Sequence, residues 1–260
     1  MTSLPIIDAI YNEDCLEGMK RIPDSSVDFV LTDLPFGITS NEWDKRIDLE
    51  KFWEQINRVT KMSGAVALFA NGKYLFELGA SNIKDYRYKI VVSKSQGSGY
   101  LNSHKMPLKV HEDILIFYRK LPTYNPIFIE GRKPYKRVHK ATHSSKNYRQ
   151  FNYDTITESD GKRFPTDVVN FHFPRYQWGN PSEKVEHPTQ KPTALLEYLI
   201  KTYSNEGELV LDATIGSGST AVAAINTGRH FIGFETEKKY FDIANERIAK
   251  AQAEKAERLF

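Results

Sequence analysis

The sequence predicts an α/β fold: a doubly wound, mostly parallel, Rossmann-like sheet with an inserted loop-rich region. Three observations carry this expectation. Short apolar runs such as Val27-Asp28-Phe29-Val30-Leu31 and Ala65-Val66-Ala67-Leu68-Phe69 have the length and composition of strands buried on both faces. Segments with helical spacing of apolar residues separate such runs, the alternation that builds parallel sheets. Late in the chain, Leu209-Val210-Leu211 runs into an acid and a glycine-rich turn, Asp212 to Thr220, that opens another helix.

Taken in order, Ala9-Ile10-Tyr11 reads as a strand ending at Asp14, and Leu16 to Arg21 as a short helix closed by Pro23. Val27 to Leu31 is a second strand, which Asp33 and Pro35 must terminate because proline cannot donate to a ladder. A helix from Leu49 to Met62 puts Phe52, Ile56, Val59 and Thr60 on one face, and the strand Ala65 to Phe69 follows. Leu75 to Ile83 is a short helix. Tyr88 to Ser93 and Asp113 to Arg119 are strands flanking a glycine-bearing loop, Gln96-Gly97-Ser98-Gly99. From Lys120 to about Glu186 aromatic, proline and basic residues replace any sustained period, the mark of an insertion. Pro192 then suits a first helical position, with Leu195, Leu196, Leu199, Ile200 and Tyr203 recurring on one face. Leu209 to Leu211 is a strand, Thr220 to Asn226 a helix, His230 to Phe234 a strand and Tyr240 to Ala251 the last helix. The expected organisation is one domain in two parts, 1–119 and 187–260, around an insertion at 120–186.

At 260 residues and 40% hydrophobic content the chain can bury one full core. No stretch approaches the ~18 consecutive apolar residues of a membrane helix, and Met1 to Ile10 has no leader pattern, so a soluble cytoplasmic protein is expected. The single cysteine, Cys15, excludes an internal disulfide framework and a cysteine-based zinc site. Net charge is only +3, yet Gly131 to Gln150 holds seven Lys/Arg and no Asp/Glu, so the rest of the chain is net negative. Concentrated positive charge suits a phosphate-binding surface, although a solvated basic loop has the same composition.

In the Asp212 to Thr220 turn, Gly216 and Gly218 let backbone N–H groups approach a ligand, while Asp212 offers a carboxylate to a cation or hydroxyl. The strand Phe231-Ile232-Gly233-Phe234 ends at Glu235, where a carboxylate can chelate two ribose hydroxyls. A tight strand-to-helix connection would need the same glycines. A nicotinamide dinucleotide is the rival ligand, with Ala221 at the third small position. Asp212 argues against it, because a carboxylate beside the turn repels a diphosphate and attracts an ammonium or sulfonium.

Asp33-Leu34-Pro35-Phe36 follows a buried strand, at the carboxyl edge where open α/β sheets bind ligands. It resembles the (Asp/Asn/Ser)-Pro-Pro-(Tyr/Phe) signature of methyltransferases acting on the exocyclic amine of adenine or cytosine. The resemblance extends over nearly the whole chain outside the insertion. It includes Asp14-Cys15, Lys94 to Lys120 with His111-Glu112-Asp113-Ile114-Leu115, His187-Pro188-Thr189-Gln190-Lys191-Pro192, and the Asp212 to Thr220 loop. The motif order, catalytic before cofactor with the basic segment between, is similar to the β group of this family.

The resemblance implies an S-adenosylmethionine-dependent DNA methyltransferase in which Asp33 and the Leu34 carbonyl accept from the target NH₂. Pro35 shapes the turn and Phe36 stacks on an extruded base. Leucine at the second position departs from the signature: the carbonyl survives, but the φ that proline would fix is lost. Phe36 keeps the aromatic face of the commoner tyrosine without its hydroxyl. The cofactor set implied is Asp14, Cys15, Thr189, Lys191, Asp212, Thr214, Gly216, Ser217, Gly218, Ser219, Thr220 and Glu235, with Thr189 and Lys191 near the methionine part. Cys15 by its residue type is also an ordinary small buried hydrophobe.

The insertion is then the target-recognition region, with Arg132, Lys133, Lys136, Arg137, Lys140, Lys146 and Arg149 toward double-stranded DNA, interleaved with Tyr135, Tyr148, Phe151 and Tyr153. His139 and His143 have the spacing of a metal pair but lack a further ligand set, so no metal is expected. Asp at the first motif position leans toward N6 of adenine. N4 of cytosine, a catalytically inactive DNA-binding module, and a methyltransferase of RNA or protein stay open. A homodimer and a cognate restriction endonuclease are the partners that the family implies.

Overall fold

The computed structural model describes residues 7–37, 45–139, 155–170 and 190–257. Its strands are β1 (Ala9–Tyr11), β2 (Val27–Thr32), β3 (Thr60–Ala70), β4 (Tyr86–Ser98), β5 (Lys109–Phe117), β6 (Tyr135–His139), β7 (Thr155–Ser159), β8 (Val168–Asn170), β9 (Leu209–Asp212) and β10 (His230–Phe234). The helices are α1 (Cys15–Met19), α2 (Leu49–Val59), α3 (Gly72–Ser81), α4 (Thr193–Tyr203), α5 (Ser219–Asn226) and α6 (Lys238–Glu257). They divide into two compact units, Met1–Asn125 with Asp167–Phe260, and Pro126–Thr166.

The first unit holds one sheet of eight strands in the order β1-β10-β9-β2-β3-β5-β4-β8. All pair in parallel except β5, which runs against both β3 and β4. This is the mixed, mostly parallel α/β sheet that the alternation predicts. Side chains along each strand point to alternate faces. Phe29 and Leu31 of β2 therefore join Leu195, Leu199, Ala223 and Ile248 from α4, α5 and α6. Val30 joins Met19, Phe52, Ile56 and Leu78 from α1, α2 and α3 on the other face. Helices cover both faces, so the strands read as continuous apolar runs.

Several boundaries differ from expectation, and two of them shape the strands around the site. Helix α2 stops at Val59, not Met62, because Thr60 has already turned extended and pairs with Val27 of β2. Arg119 secures the change by donating to the Asn57 carbonyl at 2.8 Å and to that of Thr60, carbonyls that the helix end leaves without helical partners. The Gln96 to Gly99 segment is not a loop up to its end: β4 continues through Ser98, which pairs with Lys109. Gly97 permits this by lying against Leu108, whose Cβ would be 2.9 Å from any Cβ added there. The reversal moves outward to a single 3-10 turn at Tyr100–Asn102, entered through Gly99 at φ +90°.

The second unit falls within the insertion and contains a two-stranded antiparallel ribbon, β6 against β7. Val138 and Ile156 are cross-strand partners and are 57% and 60% exposed, so neither strand has a buried face to impose alternation on the sequence. An Ile129 to Arg163 bridge extends the ribbon, the rings of Phe128 and Phe164 pack 5.0 Å apart, and Arg163 lies over the Tyr135 ring at 4.5 Å.

Candidate functional site

In sheet order the chain passes outward from β2 to β3 on one side and from β9 to β10 on the other. Open α/β sheets bind ligands where the order reverses, outside the carboxyl ends of the strands. Here that point lies between β2 and β9, and a cleft of about 630 Å³ opens there. Asp33, Leu34, Pro35 and Phe36, directly after β2, all line it, as do Asp212 to Ser217, Ser219, Thr220 and Glu235 from the β9 and β10 ends.

The two groups are joined by Thr214. Its hydroxyl donates to the Asp33 carbonyl at 3.0 Å and meets the Thr32 hydroxyl at 2.9 Å, tying the glycine-rich turn to the end of β2. Asp212 is buried and accepts from the Thr214 N–H at 3.1 Å. Burial, with Asp33 as a lesser contribution, pushes its carboxyl up to about 6 despite hydrogen bonds from Thr220 and Thr32. Glu235 accepts from the N–H groups of Gly216 at 3.0 Å and Glu237 at 2.8 Å, and burial raises it above the usual carboxylate range. Gly216 adopts φ +54°, which aims its N–H at Glu235.

Some of the residues expected around the cofactor have evident structural duties. Asp14 lines the cleft and caps α1, accepting from the Leu16 and Glu17 N–H groups at 2.8 and 3.3 Å. Cys15 also lines it, with its thiol pushed up to about 12 by burial and by Asp14, which makes it a packing residue and not a thiolate. Ser217 and Ser219 are held by the Arg247 guanidinium at 2.9 and 3.0 Å, and Ser217 donates to Gln190 at 2.9 Å. Gly218 is not among the cleft-lining residues. It sits at φ +82° against α6, where a Cβ would lie 3.1 Å from the Ala244 Cα, so close packing requires glycine there. Thr189 lies outside the described residues.

At the β2 end, Lys191 donates to Asp33 Oδ2, and its Nζ stands 3.8 Å from Glu112 Oε2 and 4.8 Å from the Phe69 ring centroid. Lys94 donates to Glu112 Oε1 at 2.5 Å. Carboxylates and ammonium groups thus alternate as Asp33, Lys191, Glu112 and Lys94. Burial pulls the Lys191 ammonium down, but Asp33 and Glu112 outweigh it and hold it above its ordinary value. Burial pushes Glu112 up, and Lys191 and Lys94 outweigh that and hold it low. The Phe36 ring packs at 5.1 Å and 41° on buried Tyr74. Leu34, only 1% exposed, packs into the core with Phe52, Trp53 and Leu68, so its side chain anchors the motif.

Lys94 and Glu112 belong to stretches that the sequence singles out, but their part in the site depends on β4 and β5 being antiparallel neighbours, with Val92 opposite Glu112 and Ser93 opposite His111. Gln190, from the motif that holds Lys191, also lines the cleft, as do Phe69, Asn71 and Tyr240, which no local pattern marks. In the second unit, Arg132, Lys133, Lys136 and Arg137 are exposed. Lys136 pairs with Glu158, and Arg137 lies over the Tyr135 ring at 5.2 Å. Lys140, Lys146, Arg149 and His143 lie outside the described residues. Among the described residues no His, Cys, Asp and Glu cluster could hold a metal, and no helix is long and apolar enough to cross a membrane.

A sheet of this topology with an acid-Leu-Pro-Phe turn and an acidic, glycine-rich pocket at its switch point defines the class of DNA amino-methyltransferases. The model of the N6/N4 DNA methylase family matches residues 27–246, and the chain belongs to that family. A type II methyltransferase of Bacillus subtilis, M.BglII, is 32% identical over 92% of this chain and 68% of its own length. The Escherichia coli DNA adenine methyltransferase YhdJ is 27% identical over 96% and 85%. Among solved structures, the M1.HpyAVI–SAM complex superposes with a TM-score of 0.60 at 23% identity, covering 92% of this chain and 98% of that one. The cytosine-N4-specific PvuII methyltransferase gives 0.63 at 16% identity, covering 97% and 93%.

Proposed function

We propose that this chain methylates N6 of adenine within a specific sequence of double-stranded DNA, with S-adenosylmethionine as the methyl donor. The observation that carries this reading is the Asp33 carboxylate beside the Leu34 carbonyl, at the end of β2 and in the same cleft as Asp212 and Glu235. An exocyclic amine is a poor nucleophile because its lone pair is delocalised into the ring. Two fixed acceptors draw the NH₂ protons out of the ring plane and aim the lone pair, so positioning and preorganised dipoles supply most of the acceleration. Pro35 shapes the turn, and Phe36, backed by Tyr74, gives a stacking face for an extruded base.

The cleft fits the cofactor. Its buried carboxylate, Asp212, complements a cationic amino acid and sulfonium, Glu235 suits a ribose diol, and Gly216 lets the backbone come close. S-adenosylmethionine supplies the electrophilic methyl group when bound. Asp14, Cys15, Thr189, Lys191, Thr214, Ser217, Gly218, Ser219 and Thr220 complete the proposed cofactor set. Arg132, Lys133, Lys136, Arg137, Lys140, Lys146 and Arg149 form the proposed DNA surface, holding phosphates while the rest of the insertion reads bases.

Adenine is favoured by aspartate at position 33 and by the name of the Escherichia coli relative. N4 of cytosine is the second reading, favoured by the fold shared with the PvuII enzyme. Incubation with labelled cofactor and mixed DNA, followed by nucleoside analysis, decides it: label in N6-methyladenine is expected, and label confined to N4-methylcytosine would overturn the adenine assignment. A homodimer and a cognate restriction endonuclease are the partners proposed, as the resemblance of the motifs implies.

A further inference from the structure

The hairpin that joins β4 to β5 ends in a feature for which neither the cleft nor the core has a use. Leu101 is 100% exposed, Tyr100 64% and Met106 59%, three large apolar side chains on one short reversal. The reversal is nonetheless well built. Asn102 and Ser103 donate back to the Gly99 and Tyr100 carbonyls at 2.9 and 3.1 Å, and Lys105 and Met106 donate to the Asn102 carbonyl at 2.8 and 3.0 Å. Its neck is pinned where Gly97 meets Leu108. Three large apolar side chains gathered on one short turn, unlike single ones scattered over a surface, mark a place of contact with another molecule.

Its location limits what it can meet. β4 is parallel to β2 in the sheet, so the carboxyl end of β4 lies at the same edge as Asp33. Lys94 and Glu112, at the base of the hairpin, are walls of the cleft. β4 bulges between Ser93 and Ser98, so the Ser98–Lys109 pair lies two β5 residues, roughly 7 Å at about 3.3 Å per residue, past Ser93–His111, and the Gly99–Met106 turn lies beyond that pair. The charge around the tip has the sign that DNA requires: from Gln96 to Val110 the hairpin carries Lys105, Lys109 and His104, and no Asp/Glu. His104 and Lys105 are exposed on the tip itself.

We infer that the Tyr100–Leu101 turn is the wedge that enters the duplex beside the target nucleotide and fills the space it leaves when it swings into the cleft. Apolar side chains inserted between base steps unstack them, and enzymes acting on a base amine must extrude that base. A wedge on the wall of the receiving cleft holds the stack open where the base departs. The inference rests on duplex DNA as substrate and is indifferent to which amine is methylated.

The test starts from the sequence context of the modified base in DNA from cells expressing the protein. Two duplexes are made with that site, one fully paired and one with an abasic nucleotide opposite the target base, where extrusion is already eased. Leu101→Ala and the double variant Tyr100→Ala/Leu101→Ala are expected to lose about 10- to 100-fold in kcat/KM on the paired duplex and to recover most of it on the abasic one. Equal losses on both duplexes, or none on either, overturn the wedge. So does a dimer-to-monomer change in Leu101→Asp, which would assign the turn to contact with a second copy of this chain. Wild-type protein that methylates no DNA overturns the function together with the wedge, whereas an active wild type with unaffected variants overturns the wedge alone.

Discussion

Lys191 donates its ammonium to the Asp33 carboxylate from 158 residues further along the chain, and Glu112 holds the same ammonium from its other side. A carboxylate has about four lone-pair sites, so Asp33 can accept from Lys191 and still receive an amine proton. The ion pair therefore orients the acceptor instead of consuming it.

Removing Lys191 should cost both stability and turnover, by separable routes. Lys191→Met leaves Asp33 and Glu112 facing each other with their common cation gone, a loss of about 2–4 kcal/mol for a largely buried pair. Adding Glu112→Gln removes the repulsion and should return much of the Tm, while kcat, about 10- to 100-fold down because the acceptor is no longer aimed, stays low. Thermal unfolding and steady-state kinetics on the two variants check this. Additive losses of Tm would show that Glu112 and Lys191 act independently.

Asp33→Ala should reduce methyl transfer by about a thousandfold or more, since it removes an acceptor used in the transition state. Affinity for S-adenosylmethionine should change far less, because the carboxylates proposed to hold the cofactor are Asp14, Asp212 and Glu235. Calorimetric binding alongside a transfer assay separates the two effects. A parallel collapse of cofactor binding would mean that Asp33 belongs to the cofactor site.

Much of this arrangement was legible because it is local. Asp33 to Phe36 and Asp212 to Thr220 are contiguous turns after apolar strands, and the motif carries its geometry with it. The Lys191–Glu112–Lys94 chain was not, because it exists only once β4 and β5 pair in one register and the segment before α4 comes to lie beside β2. Nor was the β6–β7 ribbon, whose cross-strand pair Val138 and Ile156 faces solvent and leaves no periodic trace. At Leu34 the sequence indicated a lost constraint on φ, whereas the structure adds a buried side chain that ties the motif to the core.

That anchor gives the third prediction. Leu34→Ala keeps the backbone carbonyl but empties a packed site, which costs about 2–5 kcal/mol for a buried leucine. At temperatures where the variant remains folded, kcat should fall less than tenfold, the reverse of the pattern expected for Asp33→Ala. Denaturant unfolding and initial rates check it. A stable but inactive Leu34→Ala would show that the side chain itself takes part in catalysis.

The fourth prediction concerns pH. In the free protein burial pushes the Asp212 carboxyl up to about 6, while a bound cation favours its ionised form. Affinity for S-adenosylmethionine should therefore rise as pH increases through 6, by up to about tenfold per unit below that point, and level off above 7. Glu235, also raised by burial, adds to the slope. Stability moves the other way. A folded-state pKa above the unfolded value favours the fold at low pH, and that contribution is lost as pH rises from about 4 to 6. Asp212→Asn should accordingly flatten the pH dependence of binding, weaken the cofactor at pH 7.5, and stabilise the free protein there by on the order of 3 kcal/mol at most, seen as a higher Tm. Calorimetric titrations and thermal melts between pH 5 and 8 measure both. Binding that is independent of pH in the wild type would remove Asp212 as the cation's partner, and an unchanged Tm in Asp212→Asn would mean that the buried carboxylate is fully compensated by Thr214, Thr220 and Thr32.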